Sequence, residues 1–130
     1  MADRDEVAGI AILLWAAEPE SPHRLVTPFF QAAAAAAMDT PVEMYFTARS
    51  VHLLVPGVAD TLRASPGQDN TVGDALRAAV QHGVKLYACT DALHAQGIDP
   101  AQLISECAGH GGAVQFMGRV SDGRWRSLVF

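Results

Sequence analysis

Cysteine is scarce in this sequence: 130 residues contain two, Cys89 and Cys107. That is too few for a disulfide framework and too few for a four-thiolate zinc site. Positive charge is short as well, with Lys and Arg totalling 9 against 14 Asp and Glu, a net charge of −5. A nucleic-acid binder needs a basic surface to meet phosphates, and a membrane-surface protein of the polybasic kind needs a cationic cluster. Neither nucleic acid nor membrane is therefore expected as a partner. Long apolar runs are missing too. The longest, Ala8 to Ala17 broken only by Gly9, has about ten residues, half of a membrane span. The acidic start, Met1-Ala2-Asp3-Arg4-Asp5-Glu6, stands where a secretory signal would be basic and then apolar. A soluble protein of the reducing cytoplasm is the expectation.

Several chemical signatures are also absent. The loop after the first apolar run has no Gly-x-Gly-x-x-Gly and no Walker lysine, and its two glutamates, Glu18 and Glu20, would repel a phosphate. No Gly-x-Ser-x-Gly elbow marks a hydrolase. The histidines, His23, His52, His82, His94 and His110, show no His-x-x-x-His spacing. No metal and no cofactor are expected.

What is present is an apolar chain with alternating elements. Half the residues are apolar and 18% are charged, which excludes disorder. No stretch has the composition of an interdomain linker, so residues 1–130 read as one domain. Val7 to Ala16 is a continuous apolar run, the pattern of a strand covered on both faces. A helix is expected from His23 to Met38, through the alanine run Ala32 to Ala37, with Pro28 early in it. Pro41 to Ala48 reads as a second strand and Ser50 to Val55 as a short helical piece. Thr71-Val72-Gly73-Asp74 resembles a capping box that opens a helix over Ala75 to His82, closed by Gly83. Val84 to Cys89 is the third strand, and Asp91 to Gln96 a short helix ended by Gly97. Asp99-Pro100 is read as the start of another helix, Ala101 to Ala108. Ala113 to Val120 and Arg124 to Phe130 read as two strands joined by a tight turn at Ser121-Asp122-Gly123. So short a connection predicts an antiparallel final pair. The fold class is α/β: a three-layer α/β/α sandwich around a mostly parallel five-stranded sheet.

In such sheets, ligands and reactive groups gather beyond the carboxyl ends of the strands. Those ends carry Trp15 and Glu18, then Arg49 and His52, then Cys89, Thr90 and Asp91. Cys89 has the most specific position, closing an apolar strand and opening a helix. Unpaired N–H groups at a helix start favour thiolate over thiol, and would equally hold the anion of a persulfide. His94 lies one turn further and could face the thiol. The plain alternative is a small buried hydrophobe, since free cysteine is among the most buried residue types. Cys107 is read as helix packing. The glycines around His110 are read as a helix C-cap and turn.

Four features together resemble the DsrE/DsrF/TusD-like group of small sulfur-relay proteins. The first is the apolar opening strand, followed by a polar loop and an alanine-rich helix. The second is Met44-Tyr45-Phe46-Thr47-Ala48-Arg49-Ser50-Val51 running into Leu53-Leu54, and the third is a helix ending in His82-Gly83 directly before a strand. The most specific is Leu86-Tyr87-Ala88-Cys89, with Gly97 and Ile98 downstream. The resemblance implies a persulfide carrier in which Cys89 accepts sulfane sulfur and passes it to a partner. It implies trimers or hexamers, and donor and acceptor proteins. Two departures stand out. Thr90-Asp91 follow the cysteine where the group often has apolar or small residues, and the short connection at Ser121-Asp122-Gly123 leaves little room for the group's helix before the last strand. The rival expectation is an oligomeric binding module for a small ligand or protein, using a pocket of Trp15, Glu18, Arg49 and His52. A redox-sensing Cys89 is a third, without a resolving cysteine close in sequence.

Overall fold

A computed structural model describes residues 6–130; the acidic start through Asp5 lies outside the described residues. Five strands form one sheet in the order β4-β3-β2-β1-β5. They are β1 (Gly9–Leu14), β2 (Val42–Phe46), β3 (Lys85–Ala88), β4 (Cys107–His110) and β5 (Trp125–Val129). Every neighbouring pair is parallel. The helices are α1 (Val26–Ala37), α2 (Val72–Gln81), α3 (Thr90–Ala95) and α4 (Ala113–Val120), with a 3-10 helix over Ala48–Leu54.

The period-two alternation of the strands divides the apolar residues between two faces. On one face, Ile12, Leu14, Val42, Met44, Phe46, Leu86 and Ala88 pack against Leu25, Phe29 and Ala32, against Leu76 and Ala79 of α2, and against Leu93 of α3. Phe29 and Phe46 meet at 6.2 Å between ring centres. The local signals work as read. Thr71 and Asp74 form the capping box of α2, with Asp74 N donating to Thr71 Oγ1 at 3.1 Å and Thr71 N donating to Asp74 Oδ2 at 2.8 Å. Gly83 takes φ +101°, a conformation that favours glycine.

The opposite face carries a smaller cluster of Ala11, Tyr45 and Phe116, flanked by Leu13, Tyr87 and Trp125. Among the described residues, α4 supplies its helical cover. Topology explains the placement. The chain steps from β1 to β4 in one direction with its helices on the first face, then returns across the sheet to put β5 beside β1. Right-handed crossovers demand that the returning helix lie on the other face.

The C-terminal third departs from the sequence reading in three places. Ala101 to Ala108 is not a helix. Asp99 does cap a turn, accepting from Ala101 N at 2.9 Å. The segment is instead tied to the end of the 3-10 helix, where Ile104 N donates to Leu54 O at 2.9 Å, and Cys107 then opens β4 on the sheet edge. Three or four residues of turn do not repay helix nucleation against such a pairing. Ala113 to Val120 is a helix, not a strand. Phe116 is its only buried side chain, but Ala113, Phe116, Met117 and Val120 recur at helical spacing, a period that the turn signal at Ser121-Asp122-Gly123 overshadows. The last strand pair is consequently not antiparallel: β5 runs parallel to β1, and the segment between β4 and β5 is a crossover rather than a hairpin. The family's helix before the last strand is therefore present.

Candidate functional site

Open parallel sheets gather ligands beyond the carboxyl ends of their strands. Here β3 leads to α3 on the first face and β4 leads to α4 on the second. Cys89 stands at the end of β3, and Gly111 and Gly112 follow β4. A cavity of ≈ 280 Å³ opens at this place. Leu13 of β1, Tyr45 and Phe46 of β2, and Thr47 form one side of it. Gly111 and Gly112, with Ala113, Phe116 and Met117 of α4, form the other, and Cys89 borders it. On its outer side Cys89 also borders a second depression of ≈ 230 Å³, shared with Thr90, Asp91, His110 and the two glycines.

Backbone bonds hold Cys89 in place. Its N–H donates to Phe46 O at 2.9 Å and its carbonyl accepts from Leu93 N at 3.0 Å. It is the N-cap of α3, and no side chain caps that helix. The thiol is half-buried and free. The neighbouring strand end is fixed by Ser50, which is fully buried. Its hydroxyl lies 2.7 Å from both Leu14 O and Thr47 O and accepts from Thr47 N at 3.0 Å. Ala48, next to Thr47, is held at φ +51°, a conformation that costs a non-glycine residue energy.

A polar clamp fixes α4 and therefore one wall of the cavity. Glu43, buried in the middle of β2, accepts from Arg119 Nε and Nη2, both at 2.9 Å. It also accepts from the Tyr45 hydroxyl at 2.6 Å, which in turn accepts from Gln115 Nε2 at 3.1 Å. The Arg119 guanidinium lies 4.0 Å from the Trp125 ring centre. Gly9 makes room for that indole, since a Cβ there would overlap the ring. Burial works to raise the Glu43 pKa, but the hydrogen bonds from Arg119 and Tyr45 outweigh it and the carboxyl sits below its usual value. Burial, then the bond to Glu43, pushes the Tyr45 phenol up to about 12.

The residues named from the sequence do not form one site. Cys89, Thr90 and Asp91 come together at the outer depression. Arg49, Glu18 and His52 instead join a separate polar cluster with Glu20 and Gln96. Arg49 pairs with Glu20, approaches Glu18 at 3.7 Å and donates to Gln96 Oε1 at 3.2 Å, and His52 Nε2 lies 3.0 Å from the same oxygen. The bond from Arg49 holds the Glu20 carboxyl below its ordinary range. None of these borders the thiol's cavity. Trp15 is 58% exposed, and His94 is exposed on α3 and lines neither depression. Of the pocket of Trp15, Glu18, Arg49 and His52 expected from the sequence, Glu18, Arg49 and His52 share a polar cluster and Trp15 stands outside its bonds. Cys107 lies in a strand, not a helix, and its thiol approaches Gly109 O at 3.4 Å. Burial pushes that thiol up. Gly109 is in β4 and Gly112 is the N-cap of α4, so these glycines are neither a C-cap nor a hairpin turn. They lead the chain from a strand into a helix, and that pair of glycines was the signal that could have revealed the α4 wall. No group of three metal-ligating side chains occurs among the described residues.

These features define an all-parallel α/β protein with a thiol at the carboxyl end of its sheet. The DsrE/DsrF-like family profile matches residues 11–124, and the chain belongs to that family. Among solved structures, it is similar to the ychN protein of E. coli, with a TM-score of 0.74 at 17% identity over 95% of this chain and 100% of that one. It is also similar to MTH1491 of Methanobacterium thermoautotrophicum, a protein of unknown function, with a TM-score of 0.67 at 14% identity over 96% and 100%. At these identities the likeness shows the fold. No curated protein matches the sequence.

Proposed function

We propose that this protein is a persulfide carrier for sulfur transfer in the cytoplasm, with Cys89 as nucleophile and carrier. The observation that supports this reading is the placement of a free thiol on the border of two adjoining depressions at the carboxyl end of the sheet. A sulfur bound there can be reached from one side by a donor and from the other by an acceptor. The uncapped N–H groups opening α3 suit an anionic sulfur, and Thr90 and Asp91 flank the route to the acceptor. His94 would assist only after a rotamer or partner brings it to the outer depression. Incubation with a persulfide donor, followed by intact-protein and peptide mass spectrometry, should add one sulfur at Cys89. Cys107→Ser should load as wild type does. Equal loading of wild type and Cys89→Ser would end this reading.

The cavity supports a second reading, a ligand-binding module in which the thiol is incidental, and the same loading experiment separates the two. Both readings take the protein as a homo-oligomer, a trimer or hexamer. Val114 on α4 and Leu128 and Val129 on the edge strand are exposed apolar groups, and an unpaired edge of that kind is ordinarily covered. Light scattering after size exclusion checks this, and Val129→Lys should shift the mass toward the monomer.

A further inference from the structure

The walls of the inner cavity say what kind of molecule it accepts. No charged side chain lines it. Tyr45, whose ring contributes to the wall, has its hydroxyl engaged by Glu43 and Gln115. The nearby ionisable groups, Asp91 and His110, border the outer depression instead. A carboxylate or ammonium taken into the inner cavity would lose water and gain no partner. Size sets a second limit. A cavity of about 150 Å³ lined by Leu, Ile and Phe admits benzene, so ≈ 280 Å³ holds one ring or a branched chain with a short arm. The place lies beyond the carboxyl ends of the strands, where open α/β sheets bind small ligands.

We propose that the inner cavity binds the hydrocarbon part of a small organic persulfide, R–S–S–H, in which R is uncharged and apolar. The proposal rests on the sulfur-transfer reading and names the donor class for it. The Cys89 thiolate attacks the terminal sulfur of the donor. A new S–S bond forms to Cys89 Sγ as the donor's own S–S bond breaks, and its electron pair leaves on R–S⁻, which takes up the persulfide's proton. The products are the Cys89 persulfide anion and the thiol R–SH, with no net oxidation or reduction. Cys89 also borders the polar outer depression, from which an acceptor would take the loaded sulfur.

The test compares two donors on the full chain: benzyl persulfide, whose carbon part is apolar, and glutathione persulfide, whose carbon part is charged. Mass spectrometry follows sulfur added at Cys89. Wild type should load at least tenfold faster from benzyl persulfide. Met117 is half-exposed on the cavity wall, so it can be changed without removing core. Met117→Glu should abolish the preference, and Met117→Leu should retain it. Benzyl mercaptan should bind Cys89→Ser, shifting NMR signals of Leu13, Ala113 and Met117. Equal or faster loading from glutathione persulfide overturns this donor class while leaving sulfur transfer intact. Loading from neither donor overturns both.

Discussion

Replacing Arg119 with methionine tests whether α4 is held by charge. The substitution keeps a hydrocarbon stem over Trp125 but removes both hydrogen bonds to Glu43. Glu43 is then buried with only Tyr45 as a partner. Breaking a buried pair costs about 3–5 kcal/mol, but the Arg119 side chain is 37% exposed. Water can therefore enter where it was, and about 2 kcal/mol is the reasonable expectation. For a chain of this length that lowers Tm by roughly 6–10 °C at pH 7. The pH dependence is the sharper part. The folded-state pKa of Glu43 is depressed, so its contribution is complete above the ordinary glutamate value of about 4.3 and is lost as pH falls through the lowered folded value. The gap in Tm between wild type and Arg119→Met should thus narrow on acidification below about pH 4. The double variant Glu43→Gln/Arg119→Met, with no charge to strand, should be more stable at pH 7 than Arg119→Met alone. Scanning calorimetry across pH reads all three. A Tm gap that stays constant from neutral to acid pH would show that the Glu43 charge does not hold the clamp.

Tyr45 offers an independent reading of the same cluster. Its phenol is raised from 10 to about 12, so the stability it contributes is present below pH 10 and declines as pH climbs toward 12. Burial raises Tyr87 as well, so ultraviolet titration should show two late-ionising tyrosines, the later of them lost in Tyr45→Phe. Ser50→Ala removes the hydroxyl that joins the ends of β1 and β2 and should cost about 1–3 kcal/mol in urea unfolding; a neutral result would mean that water replaces it. Ala48→Gly relieves a positive φ and should be neutral or stabilise by up to about 1 kcal/mol, whereas clear destabilisation would show that the Ala48 methyl packs usefully.

Where structure follows from neighbours in sequence, the chain was readable. The capping box at Thr71, the apolar run of β1 and the strand-to-helix step at Cys89 are all local, and each lies where the residues indicate. Where structure follows from distant partners, it was not. Ala101 to Ala108 carries a helix-starting Asp-Pro, yet a bond from Ile104 to Leu54, fifty residues away, decides its conformation. The α4 segment does carry a helical period in Ala113, Phe116, Met117 and Val120, but the local turn signal at Ser121-Asp122-Gly123 favours a hairpin. The contact that seats the helix, Arg119 reaching Glu43, is polar and leaves no mark in hydrophobic patterning. The site was half visible for the same reason. Cys89, Thr90 and Asp91 share a strand end, whereas the pocket wall comes from a helix whose place is set by crossover handedness.

The unequal covering of the two sheet faces has a consequence for motion. One face is sealed by three helices and a continuous core; the other is covered by eight residues with one buried side chain and a clamp. Free energies of local opening follow buried contacts, so α4 should exchange its amide hydrogens well before β1 and β2 do. The crevice beside Cys89 can therefore widen while the rest of the molecule stays folded, and the ease of that opening is set by the Glu43–Arg119 clamp together with the Gln115 bond and the Phe116 anchor.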